Sequence, residues 1–470
     1  MYALYQLKSL ESQFGSPMYL FREEDFVNNY KEFVACFNKH YSKYQLSYSY
    51  KTNYTPYICK LVKSLGGYAE VVSDMECGVA LAVGYEPEHI VYNGPFKGEL
   101  GEKCLLEGGL VNVDNLEELK GVCKLANEHQ DKKIEIGIRV NINIGQSFIS
   151  RFGIDMDSDD LKKAFDMVSE VGNLEVVGLH CHVGQSRTVE AWSNRAKIML
   201  GLADKYFPNK APKYIDMGSG MFARMEESLA KQFGDNIPTF EDYAAAVAVP
   251  FAEHYKHLSQ EDKPMLLTEP GTTVINSYID FIGKVRSIKH IKGRDFVVLN
   301  CSKDNLGDIC KMKKMPLQIV HVNEEQEILK DAEFTGYTCL EHDVMYPDYN
   351  GSLGVGDYVI FGNVGGYSNV SKPPFIFWNS PMIAKKADGS LSVMKKGETF
   401  EDIFAAIALF RPGPADNIDT YIRKRNIKNE EFYNNLEQYD ILLSGALKDK
   451  DVLSINKVIL SSYEEMVLKS

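Results

Sequence analysis

The sequence predicts a (β/α)8 barrel followed by a smaller β-rich domain, and three observations predict it. Eight apolar or β-branched runs of strand length, the first at 45–51 and the last at 265–269, alternate with helical patterns. From residue 281 helices nearly vanish, and short β-rich runs separated by turns take their place. The residues with the most chemistry collect where the barrel strands end, which is where such barrels keep their active sites.

The elements follow in order. After a short amphipathic opening, 24–39 reads as a helix. The first strand shows period-2 alternation, with Leu46, Tyr48 and Tyr50 on one face and Ser47, Ser49 and Lys51 on the other. Thr55 and Pro56 supply an N-cap and a first helical position, and Gly66-Gly67 ends that helix. The remaining barrel strands are 68–73, 89–93, 110–114, 134–143, 175–183, 213–217 and 265–269. The clearest helices between them are 115–129, 159–172, 189–207 and 240–258, and Ser73 with Glu76 forms a capping box ahead of another. In the second domain, strands are expected at 281–285, 295–300, 317–321, 337–340, 357–361 and 374–377. Beyond 382 the pattern turns helical and charged, through 400–410, 418–425 and 430–443. The division is therefore a barrel at 25–280, an antiparallel β domain built from 1–24 and 281–381, and a helical extension at 382–470 that serves packing or oligomerisation.

Composition narrows the function classes. A net charge of −13 over 470 residues disfavours nucleic acid or an anionic membrane surface as the main partner. No apolar run approaches the ~18 residues of a membrane span, and the opening lacks a signal-peptide pattern. A cytoplasmic protein is expected. Its nine cysteines contain no Cys-x-x-Cys pair, which fits a reduced compartment and neither a disulfide framework nor a zinc site.

Four strand ends carry the chemistry. Lys51 ends the first strand, where a desolvated lysine can lose its proton and attack an aldehyde; taken alone, a solvated terminal lysine is the plainer reading. Gly178-Leu-His-Cys-His-Val-Gly184 ends the sixth, Asp216-Met-Gly-Ser-Gly220 the seventh and Thr268-Glu-Pro-Gly-Thr272 the eighth. The Gly218-Ser219-Gly220 turn lets backbone amides approach an anion, at the barrel position where phosphate often binds. His180 and His182 share a face and could bind a metal, but no carboxylate or cysteine cluster completes a shell, and an imidazole packed on a cofactor ring is favoured. Glu269, a buried carboxylate, needs a cation such as a pyridinium nitrogen. Lysine, anion-binding turn, stacking histidine and carboxylate together describe a pyridoxal 5'-phosphate site.

At this point the chain resembles the fold-type III pyridoxal phosphate enzymes of the diaminopimelate, ornithine and arginine decarboxylase family, closest to the diaminopimelate branch. The motifs run in one order: Tyr48-Ser-Tyr-Lys51-Thr-Asn53, Gly67-Tyr-Ala-Glu-Val-Val-Ser73, Tyr92-Asn-Gly-Pro-Phe-Lys97, Ser150-Arg-Phe-Gly153, His180-Cys-His-Val-Gly184, Gly218-Ser-Gly220, Glu269-Pro-Gly271, Cys339-x-Glu-x-Asp343 and Gly365-Gly-Tyr367. The resemblance implies an alanine racemase-like barrel with a β domain, and a head-to-tail homodimer with shared active sites. It makes Lys51 the Schiff-base lysine, His182 the ring-stacking histidine and Glu269 the partner of the pyridine nitrogen. Gly184, Gly218, Ser219, Gly220, Gly271, Thr272 and Tyr367 fall in the cofactor-binding set, with Tyr367 reaching the phosphate. Cys339, supplied across the dimer, becomes the acid that reprotonates the α-carbon. Asn300, Leu340, Glu341 and Asp343 fall at the substrate.

Departures from the family bear on the substrate. Thr272 stands where the family usually has a phosphate-binding arginine, Leu340 where it has an acid, Asn300 where diamine-forming members have an aspartate, and Glu70 where an aspartate is common. An uncharged Leu and Asn cannot make charge-assisted bonds to a terminal ammonium. The expected reaction is therefore decarboxylation of an amino acid, or of a conjugated or carrier-bound one, rather than of a simple diamine precursor. An amino-acid racemase and a non-catalytic homologue are the alternatives. Glu269 argues against the first, because fold-type III racemases place an arginine at the pyridine nitrogen; the retained Lys51, His182, Glu269 and Cys339 argue against the second.

Overall fold

A computed structural model describes residues 2–146 and 148–404. A helix, Leu4–Phe14, leads to strand β1 (Met18–Arg22) and then to the helix Glu23–His40, whose Phe26, Tyr30, Phe33 and Phe37 recur at helical spacing and are all buried. The barrel strands follow: β2 (Tyr44–Ser49), β3 (Tyr68–Val71), β4 (Ile90–Tyr92), β5 (Leu110–Val113), β6 (Ile134–Asn141), β7 (Ile154–Asp155), β8 (Leu174–His180), β9 (Tyr214–Asp216) and β10 (Met265–Thr268). All but the short β7, which adds beside β6, form a closed ring in the order β5-β4-β3-β2-β10-β9-β8-β6, with β6 returning to β5. Every pairing in the ring is parallel. The strands are buried on both faces, which is why they read as near-continuous apolar runs.

The barrel interior is filled rather than hollow. Tyr214 lies across Gly137 and Gly178, where an added Cβ would fall 2.2 Å from its hydroxyl or its ring. Its hydroxyl donates to Asn112 Oδ1 (2.9 Å), Asn112 Nδ2 donates to Asn93 Oδ1 (2.7 Å), and Asn93 Nδ2 donates to Glu269. A polar stack thus rises along the barrel to the site.

The second sheet comprises β1, β11 (Ile279–Ile291), β12 (Arg294–Leu299), β13 (Leu317–Val320), β14 (Glu327–Thr335), β15 (Val344–Leu353), β16 (Tyr358–Phe361), β17 (Met382–Lys385) and β18 (Leu391–Lys395). Its main path is β15-β14-β12-β11-β1-β17-β18, with β16 pairing β11 and β13. The sequence predicts an antiparallel sheet; the observed one is mixed, because β1 with β17 and β12 with β14 are parallel. A parallel pair needs a long crossover, and the whole barrel supplies one between β1 and β17.

Three further expectations are corrected. Residues 337–340 are a loop held by the Asp343 carboxylate, and 374–377 begin at the second of two consecutive prolines, with Ile376 at a left-handed φ of 63°. Residues 382–395 hold β17 and β18 rather than the start of a helical extension. The helix Phe400–Phe404 is present, whereas the helical readings at 418–425 and 430–443 lie outside the described residues. Among the described residues no helix is long and apolar enough to cross a membrane.

Candidate active site

β2 ends at Ser49, and Tyr50, Lys51 and Thr52 make one tight turn before Pro56 opens the next helix. Tyr48 and Tyr50, both fully buried, anchor the strand. Thr55 commits its hydroxyl to Asn53 Oδ1 (2.7 Å) instead of capping the helix. Lys51 therefore stands at the C-terminal mouth of the barrel, its Nζ 2.8 and 3.0 Å from the two oxygens of Glu70 on β3. Burial by itself lowers the ammonium's pKa, but the Glu70 carboxylate, then Glu269, outweigh it and the net shift is upward. The desolvation that the sequence suggests as the source of reactivity is thus overridden, and Lys51 is held charged on a fully buried carboxylate.

Glu269 follows β10, with His180 Nε2 3.1 Å from its Oε1 and His182 Nδ1 3.5 Å from its Oε2. Burial alone would raise its pKa; His180, the His182 hydrogen bond and the Lys51 charge prevail and hold it well below the usual carboxylate range. Burial lowers the pKa of both imidazoles. Lys51 is engaged with Glu70, and Arg139 with Asp114 at 3.4 Å. Glu269 is therefore a buried anion that receives the Asn93 amide and feels the charge of a lysine engaged elsewhere, and a protonated pyridine nitrogen would give it a cation of its own.

Asp216, at the end of β9, behaves oppositely. Its Oδ1 accepts from the Gly218 amide (2.9 Å), while burial and the Glu269 charge push its pKa far up. The sequence pairs His180 with His182 as a possible metal site; the structure instead brings one donor atom each of His180, Asp216 and Glu269 within 4.8 Å of one another. One protonated and one ionised carboxyl account for that closeness without a cation.

The 218–220 turn lies directly on the 181–184 segment. An added Cβ would fall 2.4 Å from the Cys181 carbonyl oxygen at Gly218 and 2.5 Å from that of Val183 at Gly220, where φ is +63° and +108°. The fully buried Arg195 donates to the carbonyls of Met217 (2.9 Å), Ser219 (2.8 Å) and Val183 (2.8 Å). Because a trans peptide points its C=O and N–H in opposite directions, the Gly220 amide is turned away from Arg195. On the other flank, Tyr367 stands at a left-handed φ of 53° with its amide donating to the Thr52 carbonyl (2.9 Å), and Thr272 begins the short helix Thr272–Ile275 directly after Gly271. The glycine cradle, the strained tyrosine and the cation-seeking Glu269 together fit pyridoxal phosphate.

The residues expected at the substrate are spread differently. Asn300 is tied down at both ends of its amide, accepting from the Lys284 amide (2.7 Å) and donating to the Ser16 hydroxyl (2.9 Å). Asp343 is buried and accepts from the Lys303 amide (2.8 Å) and the Thr338 hydroxyl (2.6 Å), so it shapes the 336–343 loop. Neither offers a free polar group to a ligand. On that loop Cys339 and Glu341 are exposed and Leu340 is half-buried. Sequence reasoning missed Asn93 and Arg195. For Arg195 a signal existed, since it falls on the buried stripe of the helix Val189–Tyr206 with Ala191, Trp192, Ala196 and Met199.

The family model described as pyridoxal-dependent decarboxylase, pyridoxal binding domain, matches residues 25–276. A diaminopimelate decarboxylase of Aquifex aeolicus is 28% identical over 316 residues, covering 64% of this chain and 70% of its own. One from Methanocaldococcus jannaschii is 24% identical over 425 residues, 85% of this chain and 93% of its own. A crystal structure of diaminopimelate decarboxylase from M. jannaschii superposes with a TM-score of 0.73 at 24% identity, covering 86% of this chain and 94% of that one. Separately, residues 387–450 match the model of the bacterial DNA polymerase III alpha subunit finger domain.

Proposed function

The chain belongs to the pyridoxal-dependent decarboxylase family, and within it we propose that the substrate is free diaminopimelate, decarboxylated in the cytoplasm by a homodimer. It is a pyridoxal phosphate-dependent amino-acid carboxy-lyase. The names of its relatives support a free diamino acid over the conjugated or carrier-bound substrate that the departures at Leu340 and Asn300 suggest. Asn300, bonded within its own domain, no longer argues about a distal ammonium.

The observation that carries the reaction is the Lys51–Glu70 pair facing the ionised Glu269 at one barrel mouth. Bound pyridoxal phosphate supplies the electron sink for the pair left at the α-carbon when carbon dioxide departs. Lys51 would hold the cofactor at its aldehyde end, and Glu70, which accepts both hydrogen bonds from Nζ, would take up the proton that Lys51 gives up. Glu269 would keep the pyridine nitrogen protonated, His182 would pack on the ring, and the 218–220 turn with Tyr367 would hold the phosphate. Cys339, exposed on its loop, would reach the site of the partner subunit and return a proton to the α-carbon. Support for that dimer lies beside Cys339: Phe375, Ile376, Phe377 and Trp378 are all exposed, and Phe377 packs on Tyr337 at 5.3 Å.

The test is release of carbon dioxide from meso-diaminopimelate, lysine and ornithine, run with wild type and Lys51→Ala. Diaminopimelate should be consumed at least about 100-fold faster than the other two, because a site built for a polar end group rejects analogues lacking it. Faster turnover of lysine or ornithine overturns the substrate, and unchanged turnover by Lys51→Ala overturns the role of the lysine.

A further inference from the structure

A phosphate ester near neutral pH carries close to two negative charges, and in the turn assigned to it the Gly218 amide is donated to Asp216 (2.9 Å) and the Ser219 amide to His182 Nδ1 (3.2 Å), which leaves the Gly220 amide and the Ser219 hydroxyl but no cation. Thr272 is uncharged, and Arg195 is consumed by three carbonyls on the far side of the turn. Arg187 is placed differently. It follows the 181–184 segment, and its Nε reaches only a long contact to the Gly184 carbonyl at 3.5 Å. Its guanidinium lies 5.3 Å from the centroid of Phe222, two residues beyond Gly220. Tyr243 clamps the same two loops together, its hydroxyl donating to the Arg187 carbonyl (2.6 Å) and accepting from the Phe222 amide (3.2 Å).

Two electrostatic facts sharpen the placement. Burial lowers the pKa of Arg187, and the groups that act against that shift are Tyr243 and Tyr367 rather than any carboxylate. Among the described residues no carboxylate forms an ion pair with it. Tyr367 also acts on Lys51, so the phenol lies within electrostatic range of both cations. A half-buried guanidinium without an anion, stacked beside a glycine cradle, is a binding group awaiting one.

We propose that Arg187 is the cationic anchor of the cofactor's phosphate, gripping it from the loop after β8 while the 218–220 turn holds it from the loop after β9. The assignment rests on reading that turn as the phosphate end of the site. It places the positive charge on a different strand end from the one where Thr272 stands.

Equilibrium binding to the cofactor-free protein tests it, followed by quenching of intrinsic fluorescence, with pyridoxal phosphate and pyridoxal titrated separately into wild type, Arg187→Gln and Arg187→Lys. The expected result is a loss of pyridoxal phosphate affinity of about 10- to 100-fold in Arg187→Gln, with pyridoxal affinity unchanged and partial recovery in Arg187→Lys. Retained pyridoxal binding reports that the variant is folded with its lysine in place. Undiminished pyridoxal phosphate affinity in Arg187→Gln overturns the proposal, as does an equal loss for both ligands. If wild type itself binds both ligands equally, the reading of the turn fails instead, and the anchor fails with it.

Discussion

Two carboxyl groups lie against each other at the floor of the site, and their surroundings drive them apart. Glu269 receives hydrogen bonds and feels the Lys51 charge, so it ionises; Asp216, beside that anion and buried, keeps its proton. An amide should therefore replace one of them and not the other. Asp216→Asn retains an acceptor for the Gly218 amide and a donor toward Glu269, and its kcat should stay within about threefold of wild type. Glu269→Gln removes the charge proposed to hold the pyridine nitrogen protonated, and on that proposal kcat should fall about 100- to 1,000-fold. Steady-state kinetics on the two variants checks this, and equal losses would mean that the proton sits elsewhere. Cys339→Ala should lower kcat by about 100- to 10,000-fold, the range for losing a general acid, while leaving the cofactor's absorbance band in place. A cofactor band that vanished with the thiol would remove Cys339 from proton return.

Helix starts near the site carry a second titration. The sequence reads Ser73 and Glu76 as a reciprocal capping box; in the structure Ser73 does accept from the Glu76 amide (3.2 Å), but the Glu76 carboxylate accepts from the Val72 amide (2.8 Å) instead. Burial raises its pKa to about 7. A carboxyl whose folded pKa lies above its unfolded one binds more protons when folded, so stability falls as pH rises from about 4.5 to about 7. Glu76→Gln keeps the acceptor and removes the titration. Urea unfolding at several pH values should therefore show wild type losing up to about 3 kcal/mol against the variant between pH 4.5 and 7.5. Parallel pH profiles for the two proteins would sink this account. The same comparison of elements shows what periodicity can and cannot report. The barrel strands were legible because burial on both faces leaves apolar runs such as Ile134–Asn141. Glu327–Thr335 was not, because it carries exposed charges and register shifts against Val344–Leu353 that erase a clean alternation. Lys51, His182 and Glu269 were legible as single residues at strand ends. Arg187 and Asn93 were not, because their positions depend on which loops and strands the closed barrel brings together.

At the scale of the whole molecule, the boundary expected at 381 cuts through a sheet. Met382–Lys385 pairs in parallel with Met18–Arg22, in the register Tyr19 to Met382 through Arg22 to Lys385, and the Tyr19 amide donates to the Pro381 carbonyl (2.9 Å). Met382, Ile383 and Ala384 are buried at 1%, 0% and 0% exposure, and Leu391–Lys395 closes the edge beyond them. Residues 1–397 form one compact unit. Two truncations separate these descriptions. A chain ending at 397 retains every strand of both sheets, so it should still unfold cooperatively and bind the cofactor. A chain ending at 381 loses the burial of Met382 and Ile383, about 3–6 kcal/mol, which is much of the 5–15 kcal/mol that stabilises a typical domain. It also leaves the buried strand Met18–Arg22 as an open edge, so it should unfold or aggregate. Differential scanning calorimetry of the two chains checks the prediction. Equal stability would show that β17 and β18 are dispensable, and that the β domain does end where the sequence alone first placed its boundary.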